Sequence, residues 1–137
     1  MSFYHGLNRA DTETAMTTIR ISLPDSALTA TLNNSVPARD FLALLPLTLT
    51  LTDFNGTEKV SDLPEPLSTQ GAPEGFKPEE GDLTYYAPWG NLAIFYRDFA
   101  YSEGLVKLGR IKEGVETLKG SVPVSVTIEQ ITQENES

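Results

Sequence analysis

The sequence predicts a mainly β protein, an antiparallel barrel of about eight strands with one well-defined helix. First, apolar and polar residues alternate with a period of two in several segments, as in strands that are buried on one face. Second, clusters of Pro, Gly, Asn and Asp separate these segments and favour turns. Third, only residues 35–46 show clear helical spacing.

The chain has the length and composition of one domain. Its 137 residues, of which 39% are hydrophobic, are enough to bury a core. We predict that the domain spans residues 17–132. Residues 1–16 are polar and have no usable period, so we interpret them as a flexible tail, and we assign residues 133–137 as a second one.

The first two elements are a hairpin and a helix. Residues 17–32 alternate on both sides of a Pro-Asp-Ser turn, which predicts a β-hairpin. Its apolar positions are Ile19, Ile21, Leu23, Leu28, Ala30 and Leu32. In the helix, Ser35 is a suitable N-cap, Pro37 is tolerated in the first turn and Pro46 ends the helix. We expect its apolar face to plug the core, through Ala38, Phe41, Leu42 and Leu45.

A strand and a long loop follow. Leu and Thr alternate strictly over residues 47–52, which predicts a half-buried strand, and Asn55-Gly56 predicts a type I′ hairpin turn. Residues 61–80 are rich in Pro and Gly, and a loop of this length is usually functional or disordered. Leu63, Leu67 and Phe76 are suited to pin it to the barrel. We interpret the six acidic residues from Asp62 to Asp82 as mostly a solvated face.

The C-terminal half predicts four more strands. Residues 83–87 and 92–99 form two of them, joined by a turn at Pro88-Trp89-Gly90-Asn91. Residues 105–111 form the third, and a single helical turn follows it. Residues 122–131 form the last strand, with one face made by Val122, Val124, Val126 and Ile128.

Composition and charge exclude several classes of function. The absence of cysteine removes disulfides, thiolate nucleophiles and Cys-ligated metals. A net charge of −9 disfavours nucleic acid and anionic membranes as partners. The only histidine, His5, lies in the predicted tail, so neither imidazole catalysis nor a Ser-His-Asp triad is expected. We expect a cytoplasmic protein without metal or cofactor.

Three segments resemble the cyclophilin-like barrel family. Residues 38–44 resemble the family's early helix, and Gly81-Asp82-Leu83 with residues 93–96 resembles its central hairpin. Residues 105–118, LVKLGRIKEGVETL, resemble the stretch with a Val-Phe-Gly start and a Glu-Gly-Met centre, and this match is the most specific. The resemblance implies a closed, eight-stranded antiparallel barrel with one or two capping helices. It is closest to compact bacterial cyclophilin-like proteins of unestablished activity.

The family's catalytic signature is missing from this chain. No histidine follows His5, so the Phe-His-Arg motif is absent, and the Gln-bearing stretch and the Trp-Leu-Asp-Gly-Lys-His segment are absent as well. The resemblance therefore implies the barrel but not prolyl isomerase activity.

The stretch 81–99, GDLTYYAPWGNLAIFYRDF, is the candidate site. It holds three of the five tyrosines and the only tryptophan. Alternation places Tyr85 and Tyr86 on opposite faces, and Arg97 on the face of Phe95. These residues predict an aromatic pocket with one guanidinium, a donor for carboxylates, phosphates and carbonyls. The predicted ligand-binding residues are Tyr86, Trp89, Asn91, Phe95, Arg97 and Phe76. The alternative is a structural hairpin with Arg97 in a surface ion pair with Asp82, Asp98 or Glu103.

Three functions remain open at this point. The leading hypothesis is a binding module, not an enzyme, that holds a peptide or small anionic ligand in the pocket, gated by the 61–80 loop. The second is a divergent peptidyl-prolyl isomerase, which requires Arg97 to face the pocket. The third is a protein–protein adaptor for a redox partner, favoured by an exposed Trp89 and an unpaired edge strand.

Overall fold

The computed structural model describes residues 17–131, which form a closed antiparallel barrel and a small two-stranded sheet. The strands are β1 (Thr17–Ser22), β2 (Ala27–Leu32), β3 (Leu47–Phe54), β4 (Glu58–Asp62), β5 (Gly75–Phe76), β6 (Asp82–Tyr86), β7 (Asn91–Phe95), β8 (Ser102–Glu103), β9 (Leu105–Ile111) and β10 (Val124–Ile131). Within residues 17–131 there are also one α-helix, α1 (Val36–Ala43), and one 3₁₀ helix (Val115–Leu118). The predicted tails, including His5, lie outside the described residues.

The eight-stranded antiparallel barrel is confirmed. Its strands follow the order β1-β10-β3-β4-β7-β6-β9-β2, and β2 pairs again with β1 to close the ring. Alternate residues of each strand point inward and make one apolar core. Five of the six predicted apolar positions of the first hairpin are buried, and Leu23 is partly buried; the five are Ile19, Ile21, Leu28, Ala30 and Leu32.

Helix α1 and the loop that carries Leu67 pack on this core together. Ser35 caps the helix by accepting a hydrogen bond from the Ala38 amide at 3.2 Å, as predicted. The Leu67 amide donates to the Tyr85 hydroxyl at 3.1 Å, which fixes the buried Leu67 against the barrel. The next amide, of Ser68, donates to the Asp40 carboxylate of α1 at 2.7 Å. The loop is therefore ordered by hydrogen bonds as well as by its apolar residue.

Four details differ from the predictions. Strand β7 ends at Phe95 and not at residue 99. The two-residue strands β5 and β8 pair with each other and were not predicted, because two residues show no alternation. Val122 is 76% exposed and precedes β10, so it does not belong to the inner face of that strand. Asp82 is buried and pairs with Arg110 at 2.7 Å, so it is not part of a solvated acidic face.

Candidate ligand-binding pocket

A cavity of about 420 Å³ opens on the outer face of the barrel, over strands β4, β7, β6 and β9. Its floor is a second apolar cluster that is separate from the barrel core, made by Ala93, Phe95 and Leu105. The aromatic lining consists of Phe54, Tyr86, Trp89, Phe95 and Phe99, and the polar lining of Glu58, Asn91, Ser102 and Glu103.

Strand register brings these side chains together. In β7, Asn91, Ala93 and Phe95 face outward, while the residues between them face the core. Glu58 of β4 is directly opposite Phe95, and it is also directly opposite Phe54 of β3. A carboxyl therefore lies between two phenyl rings on the neighbouring strands.

Trp89 forms the accessible wall of the pocket. Its ring meets Tyr86 edge to face at a centroid distance of 5.3 Å, and it meets Phe54 in the same way at 5.7 Å. Elsewhere in the lining, the Phe99 ring stacks on the Phe95 ring at a centroid distance of 6.5 Å. Trp89 is 60% exposed and Phe99 is 45% exposed, so both rings keep open surface for a ligand.

The turn before β7 sets the position of Trp89. The Gly90 amide donates to the Tyr86 carbonyl at 2.9 Å, and Gly90 has a φ of +68°, which a residue without a Cβ adopts easily. On the other side, Gly104 approaches the turn so closely that an added Cβ would lie 2.8 Å from Pro88 Cδ. The chain after Phe99 is thereby packed against the turn that carries Trp89.

Glu58 is the carboxyl between the two phenyl rings of the pocket, and sequence reasoning missed it. Burial and, to a smaller extent, the negative charge of Asp53 together raise the pKa of Glu58 to about 7. The sequence of the β3–β4 hairpin does contain a signal that could have identified Glu58. Phe54 follows the outward-facing threonines of β3, and the turn at Asn55-Gly56 returns the chain so that Glu58 lies opposite it.

Asn91 is 6% exposed and its side-chain oxygen has no hydrogen-bond partner among the described residues. Buried acceptors are normally paired, because an unpaired one loses its bonds to water without replacement. Asn91 is also one of the residues that line the pocket.

The comparisons with known proteins concern the fold and the family. A family model described as the cyclophilin-like family matches residues 21–129. The chain belongs to the cyclophilin-like family. No curated protein matches it. The cyclophilin-like chain is similar to the solution structure of a hypothetical protein from Archaeoglobus fulgidus, with a TM-score of 0.61 and 18% identity, covering 86% of this chain and 97% of the other. At that identity the likeness concerns the fold alone.

Four of the predicted site residues of this cyclophilin-like protein lie together in the pocket: Tyr86, Trp89, Asn91 and Phe95. Phe76 does not line the cavity. It packs against the apolar floor and borders a separate cavity of about 300 Å³ beside Pro37 and Ala72.

Arg97 is exposed and does not line the pocket. Its Nε donates to the Gly56 carbonyl at 2.9 Å, and its guanidinium lies 5.8 Å from the centroid of the Tyr96 ring. The expected ion pairs with Asp82, Asp98 or Glu103 are not formed either. The physical reason is that β7 ends at Phe95, so the alternation that would place Arg97 beside Phe95 no longer applies. Arg97 instead steadies the turn between Phe54 and Glu58.

The 61–80 loop supports the pocket from behind but contributes no lining residue. Its Pro78 carbonyl accepts from the Phe99 amide at 3.1 Å, and its Glu80 amide donates to the Asp98 carboxylate at 2.8 Å. The structure gives no support to the prediction that this loop gates the pocket. The lining residues on that side come from the neighbouring segment between Phe99 and Leu105.

A metal or membrane role gains no support from the described part of the chain. Within residues 17–131, no group of three His, Cys, Asp or Glu residues is placed to hold a metal ion. No helix in that range has the length and apolar character that a bilayer crossing demands.

Proposed function

We propose that this cyclophilin-like protein is a binding module that holds a short peptide segment in the pocket on its outer face. The observation that carries the proposal is a cavity of about 420 Å³ with an aromatic lining and few polar groups. Such concave, mostly apolar sites with a few placed polar atoms are typical of ligand binding. Exposed tyrosine and tryptophan rings offer rigid contact area at low entropic cost.

The charge of the lining decides against the small anionic ligand that the sequence suggested. That suggestion depended on Arg97, which lies outside the cavity. The described lining residues include Glu58 and Glu103 and no lysine or arginine. A carboxylate or phosphate would be desolvated there without a positive partner, which is unfavourable.

The other two functions are less well supported. The isomerase hypothesis required Arg97 to face the pocket, and its guanidinium is instead bonded to the turn at Gly56. The adaptor hypothesis has the exposed Trp89 in its favour, but each of the eight barrel strands already has two neighbours. A partner strand therefore finds no free edge in the barrel.

A selection of random peptides displayed on phage tests the proposal. We expect enriched peptides to bind in calorimetry and to lose at least about tenfold in affinity on Trp89→Ala, since exposed aromatic anchors dominate such interfaces. Val122→Ala is the matched control, because Val122 is also exposed and apolar but does not line the pocket. A selection whose enriched peptides bind wild type and Trp89→Ala equally would overturn the proposal.

A further inference from the structure

We infer that the group held in the pocket is a cationic nitrogen that still carries N–H bonds, an ammonium or guanidinium at the end of a peptide side chain. The inference rests on the proposed peptide-binding function and specifies its chemistry. Four independent features of the lining support it.

The first feature is a pair of carboxyl groups that no described cationic side chain compensates. Glu58 lies at the floor between Phe54 and Phe95, and Glu103 lies in the wall. Neither carboxyl forms an ion pair with a described residue, whereas the buried Asp82 has two cationic partners, Arg110 at 2.7 Å and Lys107 at 3.3 Å. The chain thus neutralises its structural buried carboxylate and leaves those of the pocket without a partner.

The second feature is the unpaired acceptor. Asn91 lines the pocket, and its side-chain oxygen is buried and lacks a donor among the described residues. A ligand with N–H bonds restores the missing hydrogen bond, and a hydrogen bond from a charged donor is stronger than a neutral one. A trimethylammonium group carries the same charge but has no N–H bond to donate.

The third feature is the aromatic wall. Trp89 forms edge-to-face pairs with Tyr86 and with Phe54, and all three rings line the same cavity as Glu58. The faces of such rings attract cations, and their apolar surface suits the methylene stem of lysine or arginine.

The fourth feature is the protonation state of Glu58. In the free protein, burial and the nearby Asp53 hold the pKa of Glu58 at about 7. The other ionisable groups near it are Glu103 in the wall, Tyr86 on β6 and Tyr96, which follows the end of β7. Lys59 points to the opposite face and donates to the Gly120 and Val122 carbonyls. A bound cation favours the charged carboxylate, so it lowers the pKa and releases a proton near neutral pH.

Four peptides that differ at one side chain test the inference. Capped Gly-Ala-X-Ala-Gly is prepared with lysine, arginine, norleucine or trimethyllysine at X, and n-butylammonium serves as a free amine. Binding is followed by NMR titration of the Trp89 indole N–H and the Asn91 side-chain amide. Glu58→Gln is compared with Glu113→Gln, which makes the same charge change at an exposed residue outside the pocket.

We expect the lysine and arginine peptides to bind about tenfold tighter than the norleucine and trimethyllysine peptides. Glu58→Gln should remove most of this preference, and Glu113→Gln should keep it. Calorimetry in two buffers of different ionisation enthalpy should detect proton release on binding near neutral pH. The inference is therefore tested by selectivity, by the variant and by the proton balance.

The remaining outcomes separate this inference from the proposed function. Equal affinity for lysine and norleucine peptides would overturn the cationic preference and leave peptide binding intact. Equal affinity for lysine and trimethyllysine would remove Asn91 from recognition and overturn the N–H requirement. Binding of n-butylammonium without binding of any peptide would retain the cation site and overturn the peptide module. Failure of all five probes to shift either resonance would overturn both.

Discussion

The two faces of the β6–β7 hairpin are both apolar, but the protein covers only one of them. On the inner face, Tyr85 is buried, and its hydroxyl accepts a hydrogen bond from the Leu67 amide. On the outer face, the adjacent Tyr86 borders an open pocket, where its main aromatic contact is the exposed Trp89. The inner side chains hold the fold together. The outer ones, together with Glu58, line an open pocket, which we propose that a ligand covers.

Truncation on the inner face should have the largest effect on stability. Ile94 is fully buried in the barrel core, so Ile94→Ala should lower the free energy of unfolding by about 3 kcal/mol through lost contacts and a residual cavity. Urea denaturation measures the change. Val122→Ala, at an exposed site, should stay within about 0.5 kcal/mol. A loss below about 1 kcal/mol for Ile94→Ala would mean that the inner face is not the main source of stability.

Alanine substitutions at two glycines distinguish the cost of backbone strain from the cost of a steric clash at the pocket wall. Gly104 and Gly71 have similar positive φ values, +87° and +79°, but only Gly104 has a neighbour that a Cβ would clash with, Pro88. Both alanine variants should lose about 1 kcal/mol from the left-handed backbone. Gly104→Ala should lose about 1–2 kcal/mol more and shift the Trp89 fluorescence, because the adjacent turn moves. Equal losses would contradict the close approach.

The Glu58 carboxyl should make the free energy of unfolding depend on pH, with a lower stability at higher pH. The folded state holds the proton of Glu58 up to about pH 7, against an ordinary pKa of 4.5. The stabilisation from this group is therefore complete below about pH 4.5 and is lost as pH rises through about 7. Relative to wild type, Glu58→Gln should gain about 1 kcal/mol across this window, a value reduced for the water that reaches the carboxyl. Urea denaturation at several pH values measures it, and parallel curves for the two proteins would contradict it.

Arg97→Ala should have the smallest effect. It removes one exposed hydrogen bond to the Gly56 carbonyl, so we expect a loss of about 0.5 kcal/mol in unfolding free energy. Affinity for the lysine peptide should be unchanged. Exchange NMR on an Ala-Pro peptide should give the same cis/trans rate with wild type, with the variant and without protein. An acceleration that disappears in Arg97→Ala would instead establish an isomerase that uses this residue.

Most of the barrel could be predicted because alternation along a strand reports its buried face directly. The paired strands 17–22 and 27–32, the helix with its Ser35 cap, and the strand 105–111 all have local signals of this kind. The short strands β5 and β8 could not be predicted, because their pairing depends on where the chain returns after the barrel is built. The end of β7 was also missed, because Tyr96 and Phe99 continue its aromatic character beyond the last paired residue.

The candidate site was predictable only in its aromatic part. Tyr86, Trp89, Asn91 and Phe95 are close in sequence and stay close in the fold. Glu58 and Phe99 reach the pocket through the register between strands and through a loop, neither of which one segment reveals. The prediction that Arg97 lines the pocket was wrong for a different reason. It extended a local pattern by two residues beyond the strand that supported it.

Ring closure also has a consequence for the exchange of backbone amide hydrogens. In most domains the first and last strands fray, and their amides exchange with solvent before those of central strands. Here β1, the first strand of the described residues, is bonded to β10 on one side and to β2 on the other. Like β7, it therefore has a hydrogen-bonded neighbouring strand on each side. The slowest-exchanging hydrogens should therefore form a continuous belt that runs through both ends of the described chain, with the turns that carry Trp89 and Gly56 exchanging first.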